Sequence, residues 1–175
     1  MITVSSILNL AQFQLREMPP GWQAQAVGST LGSELVVQEF YLQAEPDVKF
    51  HYFYRGKPLS KIVADEFVEL LSQAPHALSD EEFSNIEMVV RDASEPEFFE
   101  MLDKHTETLG GRNGLVVEGI WKFSDVQDLG IFITGTDARV IDELHFTAPK
   151  QLFQQFKASL QDILSLVEWR QERHF

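Results

Sequence analysis

The stretch 35–42 is apolar on both of the faces that a β-strand presents to its surroundings. Successive side chains of a strand point to opposite sides, so a strand in a half-solvated sheet alternates apolar and polar residues. Later β-rich runs repeat the two-sided pattern, and their second face carries Val116, Ile120, Phe132 and Ile141. A sheet that is apolar on both sides must be covered on both sides. We therefore predict an α+β domain, an α/β/α sandwich in which helices flank a mainly antiparallel sheet on both faces.

Two segments carry the strands of this predicted sheet. The first is a hairpin at 34–55, whose turn is marked by Glu45-Pro46-Asp47. The second is a three-strand meander at 115–146, made of β-rich runs joined by short polar turns. A short strand is also predicted at 22–27.

Apolar residues at helical spacing predict helices at 59–71 and at 149–166. The second helix has the most regular period, and its stripe predicts a core position for Phe153, Phe156, Leu160 and Ile163. We expect Thr147 to cap this helix, with Pro149 in its first turn.

Two less regular segments lie between these helices. Ser79 and Glu82 have the spacing of a capping box, which predicts a helix over 79–92, although its apolar residues also alternate as in a strand. A further helix is predicted over 94–109, with Gly110 ending it.

The composition excludes several classes of function. The chain has 175 residues, no cysteine, and 14 Lys plus Arg against 27 Asp plus Glu, which gives a net charge of −13. This length predicts a single globular domain over 1–175. The lack of cysteine excludes disulfides and thiolate chemistry. The negative charge argues against nucleic acid and anionic membranes as partners.

Targeting and cofactor signals are also missing from the sequence. No run approaches the ~18 apolar residues of a membrane span, and residues 1–20 lack the basic start and cleavage pattern of a secretion signal. We therefore expect no membrane insertion and a cytoplasmic location. No histidine spacing, phosphate loop or nucleophile motif indicates a metal or a cofactor, so we predict neither.

The order of the predicted elements resembles the PsbP-like fold family over residues 13–169. The Pro-Pro-Gly-Trp sequence at 19–22 and the late Trp169 are similar too. This family includes extrinsic oxygen-evolving subunits of photosystem II, nuclear-transport accessory proteins and secretion-effector chaperones. The resemblance implies a non-enzymatic binding or assembly protein whose partner is another protein.

Acids and histidines on the predicted strands define an alternative, an acid/base enzyme or a small-ligand-binding domain. Glu118 with Asp142, or Glu143 with His145, could form a pair for general acid/base chemistry. The alternative pocket is therefore Glu118, Asp142 and His145. Asp142 lies on an otherwise apolar strand face, where a carboxylate is costly unless it is paired. We favour an Asp142 that is solvated near the strand end or caps a backbone amide.

His105 lies on the apolar stripe of the helix predicted over 94–109. On a helix its acidic neighbours Asp103 and Glu107 would point away from that stripe. We therefore expect a boundary histidine, hydrogen-bonded at the helix flank, rather than an acid/base group.

Charge is distributed unevenly along the chain. Residues 48–64 contain no acid, whereas residues 80–107 carry ten acids and two basic residues, a net charge of −8. Both segments can be ordinary solvated faces. The alternative is a polarised molecule with one surface for an acidic group and another for a basic partner.

We predict that the partner binds the basic face of the hairpin. The predicted partner-binding residues are Lys49, His51, Phe53, Arg55, Lys57 and Lys61. The first four project from one side of a strand because side chains alternate, and an aromatic residue among cations suits an interface anchor. A helix could instead cover this face, with Phe53 in the core and the cations extending past it.

Overall fold

The computed structural model describes residues 13–15, 17–25, 30–31, 34–55, 58–134 and 139–169 of the chain. Its elements, in chain order, are β1 (Phe13–Leu15), β2 (Trp22–Gln25), β3 (Thr30–Leu31), β4 (Glu34–Leu42), β5 (Glu45–Arg55), α1 (Lys61–Ser72), α2 (Asp80–Val90), β6 (Phe99–Leu109), β7 (Arg112–Trp121), β8 (Val126–Thr134), β9 (Ile141–Pro149), α3 (Lys150–Ser165) and β10 (Val167–Trp169). A turn of 3-10 helix (Arg91–Ser94) follows α2 directly.

Strand pairing builds an antiparallel sheet in the order β2–β4–β5–β9–β8–β7–β6, with β3 adding to β4. The predicted hairpin is β4 and β5, and the predicted meander is β7, β8 and β9. The two parts meet where β5 pairs with β9, which sets Tyr52 opposite Leu144. β1 and β10 form a separate two-stranded ribbon. The predicted antiparallel sheet is confirmed.

Helices cover both faces of this sheet. Helix α3 packs on one face, against a layer that includes Phe50 and Phe146. Helices α1 and α2 pack on the other face, against a layer that includes Leu115 and Phe132. Apolar residues on both faces of the strands predicted a sheet covered by helices on both sides, and the structure has this arrangement. The α+β class is therefore confirmed.

The closing helix α3 covers its face through Phe153, Leu160 and Ile163, which are almost fully buried. Phe156, predicted for the same core, is only partly buried against it. Phe156 contacts the same cluster but keeps part of its surface exposed to solvent.

The predicted cap of α3 is wrong. Thr147 lies inside β9, where it pairs with Lys49 of β5. The helix begins at Lys150 after Pro149, and no side chain caps it. Strand β9 thus continues directly into the helix.

The capping box predicted at Ser79 opens α2. The Ser79 hydroxyl accepts from the Glu82 backbone N–H at 3.2 Å, and the Glu82 carboxylate accepts from the Ser79 N–H at 2.9 Å. The helix continues to Val90. The segment whose pattern also suited a strand is therefore helical.

The helix predicted over 94–109 is wrong, because residues 99–109 form strand β6 and pair with β7. Gly110 and Gly111 form the two-residue loop of this hairpin, with φ angles of 57° and 90°. Positive φ at both positions matches the twist of a hairpin and disfavours residues with side chains. Gly110, which was predicted to end a helix, therefore belongs to the turn of a hairpin.

Strand geometry also changes the surroundings of His105. Residues two apart in a strand share a face, so both acidic neighbours lie beside the imidazole. His105 Nδ1 is 2.5 Å from Asp103 Oδ2, and Nε2 is 3.2 Å from Glu107 Oε2. The expected place at a helix flank is wrong, and His105 lies between two exposed carboxylates.

The two phenylalanines of α3 should differ in their contribution to stability. Phe153 is fully buried, and its ring centroid is 5.5 Å from that of Phe146. We expect Phe153→Ala to lower the free energy of unfolding by about 3–5 kcal/mol. Phe156→Ala should cost less, about 1–2 kcal/mol, because less apolar area is lost from the core. Urea denaturation of both variants measures this, and equal losses would contradict the arrangement of α3.

Candidate functional site

A cleft of about 260 Å³ lies on the α1/α2 face of the sheet, beside the 3-10 turn that follows α2. Its apolar lining consists of Val90, Ala93, Phe99, Val117, Trp121 and Phe132. Its polar lining consists of His51, Arg91, Asp92, Asp128, Glu143, His145 and Thr147. Apolar walls combined with converging polar groups are the usual character of a binding site.

The strand register brings the two histidines of the cleft together. Directly opposed residues of antiparallel neighbours share a face, so His145 of β9 lies between His51 of β5 and Gly130 of β8. A Cβ at Gly130 would lie 2.9 Å from Phe132 Cε2 and 3.1 Å from His145 Cε1. The missing side chain therefore lets these two rings meet edge to face, with centroids 5.6 Å apart.

Buried charges in the cleft are paired with one another. Asp128 and Glu143 are only 6% and 2% exposed. His145 Nδ1 is 3.0 Å from Asp128 Oδ1, and His145 Nε2 is 3.6 Å from Glu143 Oε2. Arg91 also donates to Glu143 at 3.3 Å. Trp121 Nε1 donates to Asp128 Oδ2 at 2.9 Å. Each buried carboxylate thus has a cation beside it, as the cost of desolvation requires.

The two histidines have opposite pKa shifts. Burial by itself lowers the pKa of His145, but the carboxylates of Asp128 and Glu143 outweigh burial and raise this pKa to about 10. Burial, followed by the charge on His145, lowers the pKa of His51 to about 4. At neutral pH the cleft therefore holds a charged His145 beside a neutral His51.

Arg91 reaches the cleft from a strained backbone. It is the C-terminal cap of α2, with φ 53° and ψ −119°, a region that residues with side chains rarely adopt. Such a conformation costs roughly 1–3 kcal/mol and occurs preferentially at functional sites. The ion pair with Glu143 determines where this residue directs its side chain.

Two of the predicted partner-binding residues lie in or near the cleft. His51 lines it. Lys49 lies one row further along β5, and its Nζ is 3.4 Å from Glu39 Oε1 of β4. The face predicted as basic therefore also carries an acid, and its histidine is neutral.

The other four do not form one described cluster with them. Lys61 lies at the start of α1, with Nζ 2.5 Å from Asp65 Oδ2. Phe53 and Arg55 belong to β5, but their side chains lie outside the described part of the chain, and so does the whole of Lys57.

The alternative pocket of Glu118, Asp142 and His145 does not converge. Asp142 is 2% exposed and accepts a hydrogen bond of 2.5 Å from the Tyr52 hydroxyl in the α3 layer. Glu118 also faces α3, with Oε2 3.4 Å from Lys157 Nζ. His145 lies on the other face, so the sheet separates it from both acids. The solvated Asp142 that we favoured is wrong, because burial against Tyr52 satisfies the carboxylate.

Asp128, Arg91 and Trp121 make key contacts in the cleft and were not predicted from the sequence. Asp128 is a lone acid on a β8 face that it shares with Val126, Gly130 and Phe132, and this pattern was a usable signal. Arg91 and Trp121 gave no signal, because their role depends on the register of other strands. The predicted pair of Glu143 and His145, two residues apart on β9, does form an ion pair in the structure.

The described residues contain neither a membrane-spanning helix nor a cluster of metal ligands. No helix there is both long and apolar enough to cross a membrane. Within the same residues, no three histidine or acidic side chains are arranged to hold a metal ion.

Comparison with protein-family models and with curated proteins finds no match to this sequence. Comparison with solved structures shows that the chain has a PsbP-like fold. It is similar to the solution structure of cyanobacterial PsbP (CyanoP) from Synechocystis sp. PCC 6803, with a TM-score of 0.56 and 11% identity. The match covers 91% of this chain and 87% of that one. The resemblance predicted from the element order is confirmed at the level of the fold.

The ion pairs of His145 should make stability depend on pH. The unfolded chain titrates this histidine near its ordinary pKa of 6.5, whereas the folded protein raises the pKa to about 10. The stabilisation is therefore fully present below about pH 6.5 and is lost as the pH rises through 10. We expect the free energy of unfolding to fall across this window, by at most about 1.4 kcal/mol per pH unit. Denaturant titrations at successive pH values measure the slope.

Two variants isolate the contribution of His145. In His145→Gln the slope assigned to this residue should vanish, and the variant should be less stable because Asp128 and Glu143 lose a cation. His51→Gln should keep the slope, since the pKa of His51 is lowered and its titration lies below this window. Equal slopes in wild type and His145→Gln would show that the ion pairs do not hold the proton.

Proposed function

We propose that this protein is a non-enzymatic binding or assembly protein that takes a side chain of a protein partner into the cleft. The observation that carries the proposal is the cleft itself, with aromatic residues on its wall and polar groups held in place by one another. Its volume of about 260 Å³ is below the roughly 300–1,000 Å³ of sites for larger ligands. It matches one large anchoring side chain, and Trp, Tyr and Arg are the usual anchors at interfaces.

The sheet beside the cleft offers a surface for the rest of the partner. Thr147 of β9 lies opposite Lys49 of β5, which lies opposite Tyr41 of β4, which lies opposite Gln23 of β2. These four residues form a row across the sheet. The Tyr41 hydroxyl donates to Gln23 Oε1 at 2.7 Å, and the Lys49 side chain is 38% exposed. A partly exposed rim of aromatic and polar groups around an apolar pocket is typical of interfaces. We therefore propose Lys49 and His51 as contact residues.

The protonation of the cleft supports binding over acid/base catalysis. A general acid or base works best with a pKa near the working pH. The pKa of His145 is raised to about 10, and that of His51 is lowered to about 4. Asp128 and Glu143 are held in ion pairs. A pre-organised lining explains these groups better than proton transfer does, and the PsbP-like fold agrees with a binding or assembly role.

A small-ligand-binding domain is the second candidate function. The same cleft favours it, because small-molecule sites are also concave and largely apolar with few oriented polar groups. The two candidates differ in what occupies the cleft, and one experiment separates them.

Filling the cleft should abolish binding. Thr147 is half-buried in the cleft lining, so Thr147→Phe places a ring where the anchor would lie. We expect at least about tenfold less partner in affinity purification from the source cell, measured by quantitative mass spectrometry. The matched control is Thr108→Phe, which adds the same ring at an exposed position of β6 and should leave recovery unchanged.

Three results would count against this proposal. Full recovery with Thr147→Phe would remove the cleft as the partner site. Equal losses in both variants would indicate a general effect of the added ring. A small molecule retained by wild type in native mass spectrometry, lost in Thr147→Phe and unaccompanied by a protein partner, would favour the second candidate.

A further inference from the structure

Exposed apolar side chains cluster where β6 begins and where β7 turns into β8. Phe98 is 44% exposed and Phe123 is 85% exposed, and their ring centroids lie 6.1 Å apart. Leu102, in β6, is 50% exposed. Isolated exposed apolar residues are ordinary, whereas contiguous exposed apolar patches are typical of interaction sites.

This cluster lies outside the cleft. Phe99 and Trp121 oppose each other across β6 and β7, and both line the cleft. Phe98 immediately precedes β6, Phe123 follows β7, and neither side chain lines the cleft. The cluster and the cleft are therefore two surfaces built on the same two strands.

The residues before and along β6 are rich in exposed acids. Exposed acids of this part of the chain are Glu95, Glu97, Glu100, Asp103 and Glu107. The cation beside the aromatic pair, Lys122, has its Nζ 2.5 Å from the Pro96 carbonyl. An apolar patch bordered by carboxylates is complementary to a segment that carries both large apolar and basic side chains.

The outer edge of β6 is occupied along part of its length. Leu78 N–H donates to the Lys104 carbonyl at 3.0 Å, and Thr106 N–H donates to the His76 carbonyl at 2.9 Å. At the start of the strand, the Phe99 N–H donates to the Glu95 carbonyl at 3.0 Å. Among the described residues, no segment pairs with the outer edge at 100–102. Leu102 is the extra residue of a bulge there, because Met101 pairs with Gly119 and Asp103 with Glu118.

We propose that this β6 edge surface, formed by Phe98, Leu102 and Phe123 with the acids of 95–107, docks an extended basic segment of a protein partner. The short open stretch of the β6 edge can add main-chain hydrogen bonds to the side-chain contacts, as in peptides that bind along a strand edge. A second copy of this chain is a poor occupant, because its own acids would face these acids. The proposal stands on observations separate from those of the cleft.

Binding of two labelled peptides tests the proposal. The basic probe is a short synthetic peptide that alternates lysine with leucine and phenylalanine, and the second probe has glutamate in place of lysine. Fluorescence anisotropy on the full chain should show that only the basic probe binds and that its binding weakens as salt is added.

Variants of the surface test which side chains bind the basic probe. Phe123→Ser should weaken binding by about tenfold, and Glu97→Lys combined with Glu100→Lys should weaken it at least as much. Circular dichroism should show the same fold for each variant, since the changed side chains are exposed.

Matched controls distinguish this surface from the general negative charge of the protein. Ile62→Ser removes an apolar residue that is 78% exposed on α1, and Glu66→Lys combined with Glu69→Lys makes the same change in net charge on that helix. Both should bind the basic probe as wild type does. The proposal is overturned if wild type fails to bind this probe, if the acidic probe binds equally, if the α1 variants lose as much affinity, or if light scattering shows a dimer that Phe123→Ser dissociates.

Discussion

The pairing of β5 with β9 is the interaction on which the rest of the structure depends. It joins the N-terminal hairpin to the C-terminal meander, and Tyr52 meets Asp142 across 90 residues of sequence. Closing so long a loop is entropically unfavourable, so burial on both faces of the new pair must offset it. On the α3 face the pairing buries Tyr52 with its hydroxyl satisfied by Asp142. On the other face it places His51 beside His145 and so creates the polar side of the cleft.

The charges of the cleft are not explained by stability alone. Removing an acid such as Asp128 or Glu143 from water costs several kcal/mol, and an ion pair returns that cost only with good geometry and further hydrogen bonds. Well-packed apolar residues of the same volume are commonly as stabilising. The cluster also coincides with Arg91, the strained residue after α2. Strain and buried charge at one place are typical of a site shaped for binding, and they support assigning a function to this cleft.

Much of the fold was predictable because its signals are local. Alternation on both strand faces needs no knowledge of partners, and the Ser79 cap is a contact within four residues. Strand β6 was mispredicted because Phe98, Met101 and Leu102 also fit a helical period, and pairing with β7 decided the outcome. The Gly110-Gly111 pair was the hairpin signal that could have corrected it.

The candidate site was less predictable than the fold, for a physical reason. The cleft brings together residues of β5, β8 and β9 with the turn after α2. Periodicity and local motifs predict single strands, but they do not predict which residues of distant strands lie opposite each other.

Charge acts in two different ways in this chain, and the difference follows from burial. In the cleft the carboxylates are almost fully buried, and each faces a cation within 4 Å. Their interactions are little screened by salt and hold side chains in place. Along β6 the acids are exposed, so salt screens their field and a bound partner must add the opposite charge. Reversing a buried charge therefore changes the free energy of unfolding, whereas reversing an exposed one changes the rate and the salt dependence of association.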